Sequence, residues 1–187
     1  MSQLLNASAS HDGALYYHVT GRCVRFAYLT GFAGHYHYDH RRQWFNERLS
    51  LLSDMFMVEV VALAIQPRQY QLVLRLDPRA ALRLDPQQII ARWSMLYQLP
   101  QALQTLPLPD NPDTTALLEV WRNRLCDLSW FLRSLHHYIA KKANAEDGCS
   151  GHFWESRVKT KRLTDEQTLK IALASIACLV AEPTAMQ

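Results

Sequence analysis

Val58-Glu59-Val60-Val61-Ala62-Leu63-Ala64-Ile65-Gln66-Pro67-Arg68-Gln69-Tyr70-Gln71-Leu72-Val73-Leu74-Arg75-Leu76 is the stretch on which the fold turns. Its first half, Val58 to Ile65, is a nearly continuous apolar run with β-branched residues. That pattern predicts a buried strand, since a strand covered on both faces needs no polar alternation. Pro67-Arg68 predicts a short turn. From Gln69 to Leu76 the pattern alternates, with Tyr70, Leu72, Leu74 and Leu76 on one face and Gln69, Gln71, Val73 and Arg75 on the other.

Upstream of this pair, Leu15 to Cys23 is rich in strand formers, and residues 1–14 are small and polar and expected to be flexible. A loop with Gly31, Gly34 and several aromatics follows. Phe45, Leu49, Leu52 and Phe56 then recur at helical spacing between His40 and Phe56. Downstream, Asp85-Pro86 opens a second helix, with Asp as N-cap and Pro at the first helical position. Pro100, Pro107, Pro109 and Pro112 mark a surface insert over residues 100–113.

Leu118, Trp121, Leu125, Leu128, Leu132, Leu135 and Ile139 predict one long amphipathic helix. Its stripe suits packing on the sheet, with a dimer seam as the rival reading. Asn144 to Gly151 reads as a turn and His152 to Leu163 as an exposed basic strand. Thr164 with Gln167 reads as a capping box for a last helix carrying Leu169, Leu173, Ile176 and Val180. This order of elements predicts an α+β fold with an antiparallel sheet, in a single domain over residues 15–187.

At 187 residues, 49% apolar and 20% charged, the chain has the composition of an ordinary globule with a real core. The longest apolar run, Val60 to Ile65, is too short to cross a bilayer, and the N-terminus lacks the pattern of a secretion signal, so a cytoplasmic location and no membrane partner are expected. Cys23, Cys126, Cys149 and Cys178 are widely spaced, which implies neither a zinc site nor a disulfide framework.

Several blocks resemble the HUH single-tyrosine transposases, in particular the REP-associated tyrosine transposase-like branch found in bacteria. Tyr17-His18-Val19-Thr20-Gly21-Arg22-Cys23 is similar to that group's first strand, and His40-Arg41-Arg42-Gln43-Trp44 to the start of its first helix. Asp127-Leu128-Ser129-Trp130-Phe131-Leu132-Arg133 and Ala143-Asn144-Ala145-Glu146-Asp147-Gly148-Cys149 resemble its later helix and turn. His152-Phe153-Trp154-Glu155-Ser156-Arg157-Val158-Lys159 is similar to its Phe-Trp-Glu-Gly-Arg-Phe-Lys block. The resemblance implies a ferredoxin-like α+β core of the HUH type.

In the family, two His at i and i+2 on one strand face bind a divalent metal, and a Tyr on the last helix attacks the scissile phosphate. The positions matched here are Gln69 and Gln71 for the two His, Ser175 for the Tyr, and Leu179 for the polar residue one turn later. An amide is a weaker ligand than imidazole, Leu179 cannot coordinate, and an unassisted serine hydroxyl is a poor nucleophile. The expectation is therefore a catalytically inactive relative with no catalytic residue, no metal and no cofactor. His35-Tyr36-His37 mimics the missing pair but lies in a loop, Tyr70 reads as a core tyrosine, Tyr138 is a weak substitute nucleophile, and His136 and His137, being adjacent on a helix, point apart.

Between Arg133 and Arg162 there are seven basic residues against three acidic ones, so the charge is concentrated there although the whole chain carries only +3. Lys141, Lys142, Arg157, Lys159, Lys161 and Arg162, with Trp154 for base stacking, form one expected DNA-binding group, and Arg22, Arg25, Arg41 and Arg42 a second. The expected function is binding of single-stranded or hairpin DNA, alone, as a homodimer or within a larger protein complex. The alternatives are an active nicking enzyme with a rearranged site that uses His35, His37 or an unassigned tyrosine, and a protein-interaction module that presents the long helix.

Overall fold

In the computed structural model, which describes residues 13–24, 26–105, 107–155 and 157–181, four strands form one antiparallel sheet. They are β1 (Leu15–Arg22), β4 (Val58–Ile65), β5 (Gln69–Leu76) and β6 (Lys159–Leu163), in the order β4-β5-β1-β6. A separate hairpin joins β2 (Phe32–Ala33) to β3 (Tyr36–His37). The helices are α1 (Arg41–Met55), α2 (Pro78–Leu82), α3 (Pro86–Ser94), α4 (Pro112–Leu125), α5 (Leu128–Glu146) and α6 (Glu166–Ala181). The class is α+β. Of the N-terminal segment expected to be loose, only Gly13 and Ala14 fall among the described residues, and Ala14 packs against the smaller core cluster.

β5 behaves as its alternation predicts. Tyr70, Leu72 and Leu74 are wholly buried against α1, α3, α4 and α5 in the main core, while Val73 faces the other way, into a smaller cluster with Tyr16, Ala64, Leu163 and residues of α6. β4 is not the doubly buried strand its composition predicts. It lies at the sheet edge, Val60 to Leu63 are only partly covered, and a bulge between Val60 and Ala62 shifts its register against β5. The bulge moves residues after Val60 to the opposite face, which is why apolar residues run on without alternating.

Local chemistry sets the helix starts. Asp77 accepts a hydrogen bond from Ala80 N at 2.9 Å, ahead of Pro78. Asp85 and Gln88 form a reciprocal capping box ahead of α3, as Asp85-Pro86 predicts. The long helix read over Leu118–Ile139 is two helices. Asp127 leaves the helical conformation (φ −110°, ψ 116°) and takes hydrogen bonds from Ser129 N and Trp130 N, so it caps α5 just after α4 ends. The stripe itself is interior: Leu118, Trp121, Leu125, Leu132, Leu135 and Ile139 are all buried, so it is no free seam for a partner.

At α6 the capping residue is Asp165, whose carboxylate accepts from Thr168 N at 2.8 Å. The Thr164–Gln167 box is thus displaced by one residue. Val180 is 64% exposed rather than core, and Ala172 is buried in the stripe instead. The proline-rich insert holds a short 3-10 turn over Gln101–Leu103, which buries Leu103.

Gly21 in β1 is a steric requirement. A methyl group placed there would lie 2.2 Å from the Tyr70 ring. Tyr70 is enclosed, so neither the ring nor the strand can give way cheaply. Gly21→Ala is expected to lower unfolding stability by about 1–3 kcal/mol; urea denaturation measures it, and an unchanged midpoint with an unchanged slope would refute the close approach.

Candidate nucleic-acid interface

Strand register assembles the candidate site. His18 of β1 lies opposite Val73 and Lys161, Thr20 opposite Gln71 and Lys159, and Arg22 opposite Gln69. All these side chains share one sheet face, because paired residues point the same way and the period is two. α6 covers only part of that face, through Leu169, Ala172 and Ile176 packed on Tyr16, Ala64, Val73 and Leu163. The polar remainder carries His18, Arg22, Gln69, Gln71, Lys159 and Lys161, with both lysines and Arg22 exposed.

The two amides are held by neighbours. Gln71 Oε1 lies 2.9 Å from His18 Nε2. Gln69 Oε1 accepts from Arg22 Nε at 3.1 Å, while Gln69 Nε2 donates to Gln66 Oε1. A guanidinium beside Gln69 opposes a cation and favours an anion. Next to it, Arg22, Cys23, Arg68, Gln69 and Glu155 line a cavity of about 270 Å³. Burial pushes the Cys23 thiol up to about 12, so it is held as the neutral thiol and not as a nucleophilic thiolate.

Gln69 and Gln71 thus share a face, and the last helix lies over that face. Ser175, however, is exposed on α6, next to the buried Ile176 that packs on the sheet, while Leu179 packs partly buried in the smaller cluster. Among the described residues no three His, Cys, Asp or Glu side chains gather as a metal-ligand group. His37 and Asp39 pair at 2.9 Å on the exposed β3 side. Tyr138 is half-buried, with the Arg48 guanidinium 4.8 Å from its ring centre.

Several expected DNA contacts lie elsewhere. Arg41 is wholly buried. It donates to Tyr28 O and Glu146 Oε2, each at 2.7 Å, pairs with Asp147, and lies 4.3 Å from the Tyr38 ring centre. It is a structural tie, and only Arg42 of that pair is exposed. Trp154 is only part-exposed and already stacked: its ring lies 4.3 Å from His136 at 15°, and its Nε1 donates to His136 O at 3.0 Å. It is not a platform for bases.

The basic strand begins at Lys159, so Arg157 is exposed but precedes it. Arg162, paired with Tyr17, points to the face opposite Lys159 and Lys161. Lys141 is exposed, whereas Lys142 lies over the Trp44 ring at 4.4 Å. Arg25 lies outside the described residues. Arg68 and His18 enter the site unforeseen: Arg68 sits in the predicted turn, directly before Gln69, and lines the cavity with it, while His18 sits in the predicted first strand and is brought beside Gln71 by the β1–β5 register. Among known proteins, no family model and no curated protein matches the chain. Among the described residues no helix is long and apolar enough to cross a membrane.

Replacing Arg41 would strand Glu146 and Asp147 and the Tyr28 carbonyl together. Arg41→Ala is expected to cost about 3 kcal/mol of stability, at the lower end for buried pairs because both carboxylates retain some solvent. Arg42→Ala should stay within about 0.5 kcal/mol. Chemical denaturation of the two variants decides, and equal losses would put Arg41 back on the surface.

The Tyr70 hydroxyl lies 2.6 Å from His136 Nε2, and burial lowers the His136 pKa from 6.5 to about 4. The unfolded chain therefore takes up this proton at higher pH than the folded chain does. Stability is full above about pH 6.5 and falls as pH drops toward about 4, by on the order of 2–3 kcal/mol. His136→Gln should flatten that part of the profile. Titration of the His136 ring near 6.5 by proton NMR in the folded protein would contradict the assignment.

Proposed function

We propose that the chain is a nucleic-acid-binding protein on a transposase-derived, ferredoxin-like scaffold that has lost nicking chemistry, and that it holds single-stranded or hairpin DNA over the open end of the sheet. One observation carries this reading: Arg22, Lys159 and Lys161 share the exposed part of the face that presents Gln69 and Gln71. Cations on β1 and β6 beside neutral amides on β5 suit phosphates and base edges, and Arg22 stands where a bound metal would be repelled. The scaffold reading is supported by the strand order, in which β1 and β4 run parallel with β5 inserted between them, as in a split βαβ unit. The loss of chemistry is supported by the amides at Gln69 and Gln71, already bonded to Arg22 and His18, and by the apolar, partly buried Leu179.

If about five phosphates are engaged, the logarithm of affinity for single strands falls with the logarithm of salt with a slope of about −3.5. Fluorescence anisotropy on single-stranded, hairpin and duplex DNA measures it. Lys159→Glu with Lys161→Glu should weaken all binding and flatten the slope by about 1.4. No covalent protein–DNA adduct should form with Mg²⁺ or Mn²⁺. Equal, weak and salt-insensitive binding to the three DNAs would overturn the reading, and an adduct would restore the nicking enzyme.

A further inference from the structure

The rings of Tyr28, Tyr38 and Tyr36 form a column that ends in solvent. Tyr28 and Tyr38 lie 5.7 Å apart at 4° between planes, and Tyr38 and Tyr36 follow at 6.4 Å and 25°. Inside, the buried Arg41 guanidinium lies 4.3 Å from the Tyr38 ring centre. The outer ring, Tyr36, is 72% exposed. Phe32, 73% exposed, is paired with His37, whereas Tyr36 is paired with Ala33, so Phe32 and Tyr36 project from opposite faces of the hairpin.

The hairpin is braced. Gly34, at φ 60°, supplies the first residue of the two-residue turn, where a side chain would be strained. Gly31 N donates to Asp39 Oδ1 at 2.8 Å, His37 pairs with the other carboxylate oxygen at 2.9 Å, and Tyr38 N donates to Gly31 O at 2.9 Å. Two large aromatic side chains are thus held out in water on a fixed frame, Tyr36 stacked on Tyr38 and Phe32 with the His37 ring 4.5 Å away at 40°, so each offers a base only the side turned away from its neighbour.

Their location is informative. Leu29 N donates to Pro67 O at 2.7 Å and Cys23 N to Arg68 O at 2.9 Å, so the hairpin's base is tied to the turn between β4 and β5. That turn supplies Arg68 to the cavity shared with Arg22 and Gln69. Exposed Arg42 follows the hairpin, 3.9 Å from Asp39. Flat exposed rings beside guanidinium groups fit a strand of alternating bases and phosphates better than they fit an aliphatic protein surface.

We propose that the β2–β3 hairpin is a stacking platform for unpaired nucleobases. One base extends the tyrosine column over Tyr36 and another lies on Phe32, with neighbouring phosphates taken by Arg22, Arg68 and Arg42. This rests on the DNA-binding reading of the sheet face and adds to it the reason for preferring unpaired strands: bases within a duplex have no free face to offer.

The test uses the full chain and an oligothymidine strand carrying a single 2-aminopurine, with a duplex of mixed sequence as reference. Wild-type protein should quench the probe fluorescence on binding. Phe32→Leu with Tyr36→Leu, which keeps apolar bulk and removes the rings, should abolish quenching and weaken single-strand affinity by about tenfold or more. The same variant should leave duplex affinity and the salt slope unchanged. Phe32→Tyr with Tyr36→Phe, which preserves the rings, should behave as wild type. If the leucine variant binds single strands with wild-type affinity while the Lys159/Lys161 reversal loses them, the platform is refuted and the sheet-face reading stands. If wild-type protein binds no DNA at all, both fall.

Discussion

A phenol with no access to water lies at the centre of this fold. Tyr70 is fully buried in the middle of the sheet, and a hydroxyl so placed must find a partner or cost a large part of the protein's stability. His136 supplies it from α5, and burial keeps that imidazole neutral, so its Nε2 can accept the phenol's proton. The pair then dictates its surroundings. The Tyr70 ring occupies the space a side chain would need at position 21, so β1 carries glycine there. Trp154 closes over His136 by stacking, and Phe45 of α1 meets the Tyr70 ring at 5.1 Å. One buried hydroxyl thus joins β5, β1, α1, α5 and the approach to β6.

The two faces of the sheet are unequal. One carries the main core under four helices, while on the other, among the described residues, α6 covers the part around Tyr16, Ala64, Val73 and Leu163. What remains uncovered must be polar, because an exposed apolar sheet face invites aggregation. This requirement accounts for polar residues at these positions whatever they bind. It does not account for their sign. With Arg22, Lys159 and Lys161 on that face and Arg68 at its rim, the positive charge is what distinguishes the surface from an ordinary solvated one.

Much of this was legible in the residues, and what was not has identifiable causes. Alternation in Gln69–Leu76 gave the central strand and the shared face of Gln69 and Gln71, since in a strand without a bulge parity follows from position alone. The Asp85-Pro86 start was readable for the same local reason. The two-helix break was not: the apolar stripe continues in phase across Cys126 and Asp127, and only the Asp127 cap interrupts it. β4 misled because a bulge changes parity without changing composition. Arg41 and Arg42 are chemically identical in sequence, and only the arrival of Glu146 and Asp147 from more than a hundred residues away buries one of them. His18 needed the strand register, and Arg68 the cavity around Gln69, before they could be assigned to the site.

That burial of Arg41 also decides how the neighbouring tyrosines are held. Its guanidinium fastens the start of α1 to the end of α5, and it fastens both to the backbone of Tyr28 and the ring of Tyr38. The tyrosine column therefore stands on the main core rather than on a free loop, and the hairpin above it inherits that rigidity. A surface that is already ordered loses little conformational freedom when a ligand arrives, so more of the contact energy is realised as affinity. Arg41, expected from the sequence to belong to a basic surface group, instead holds the Tyr28 backbone, the Tyr38 ring and the start of the helix on which its exposed neighbour Arg42 sits.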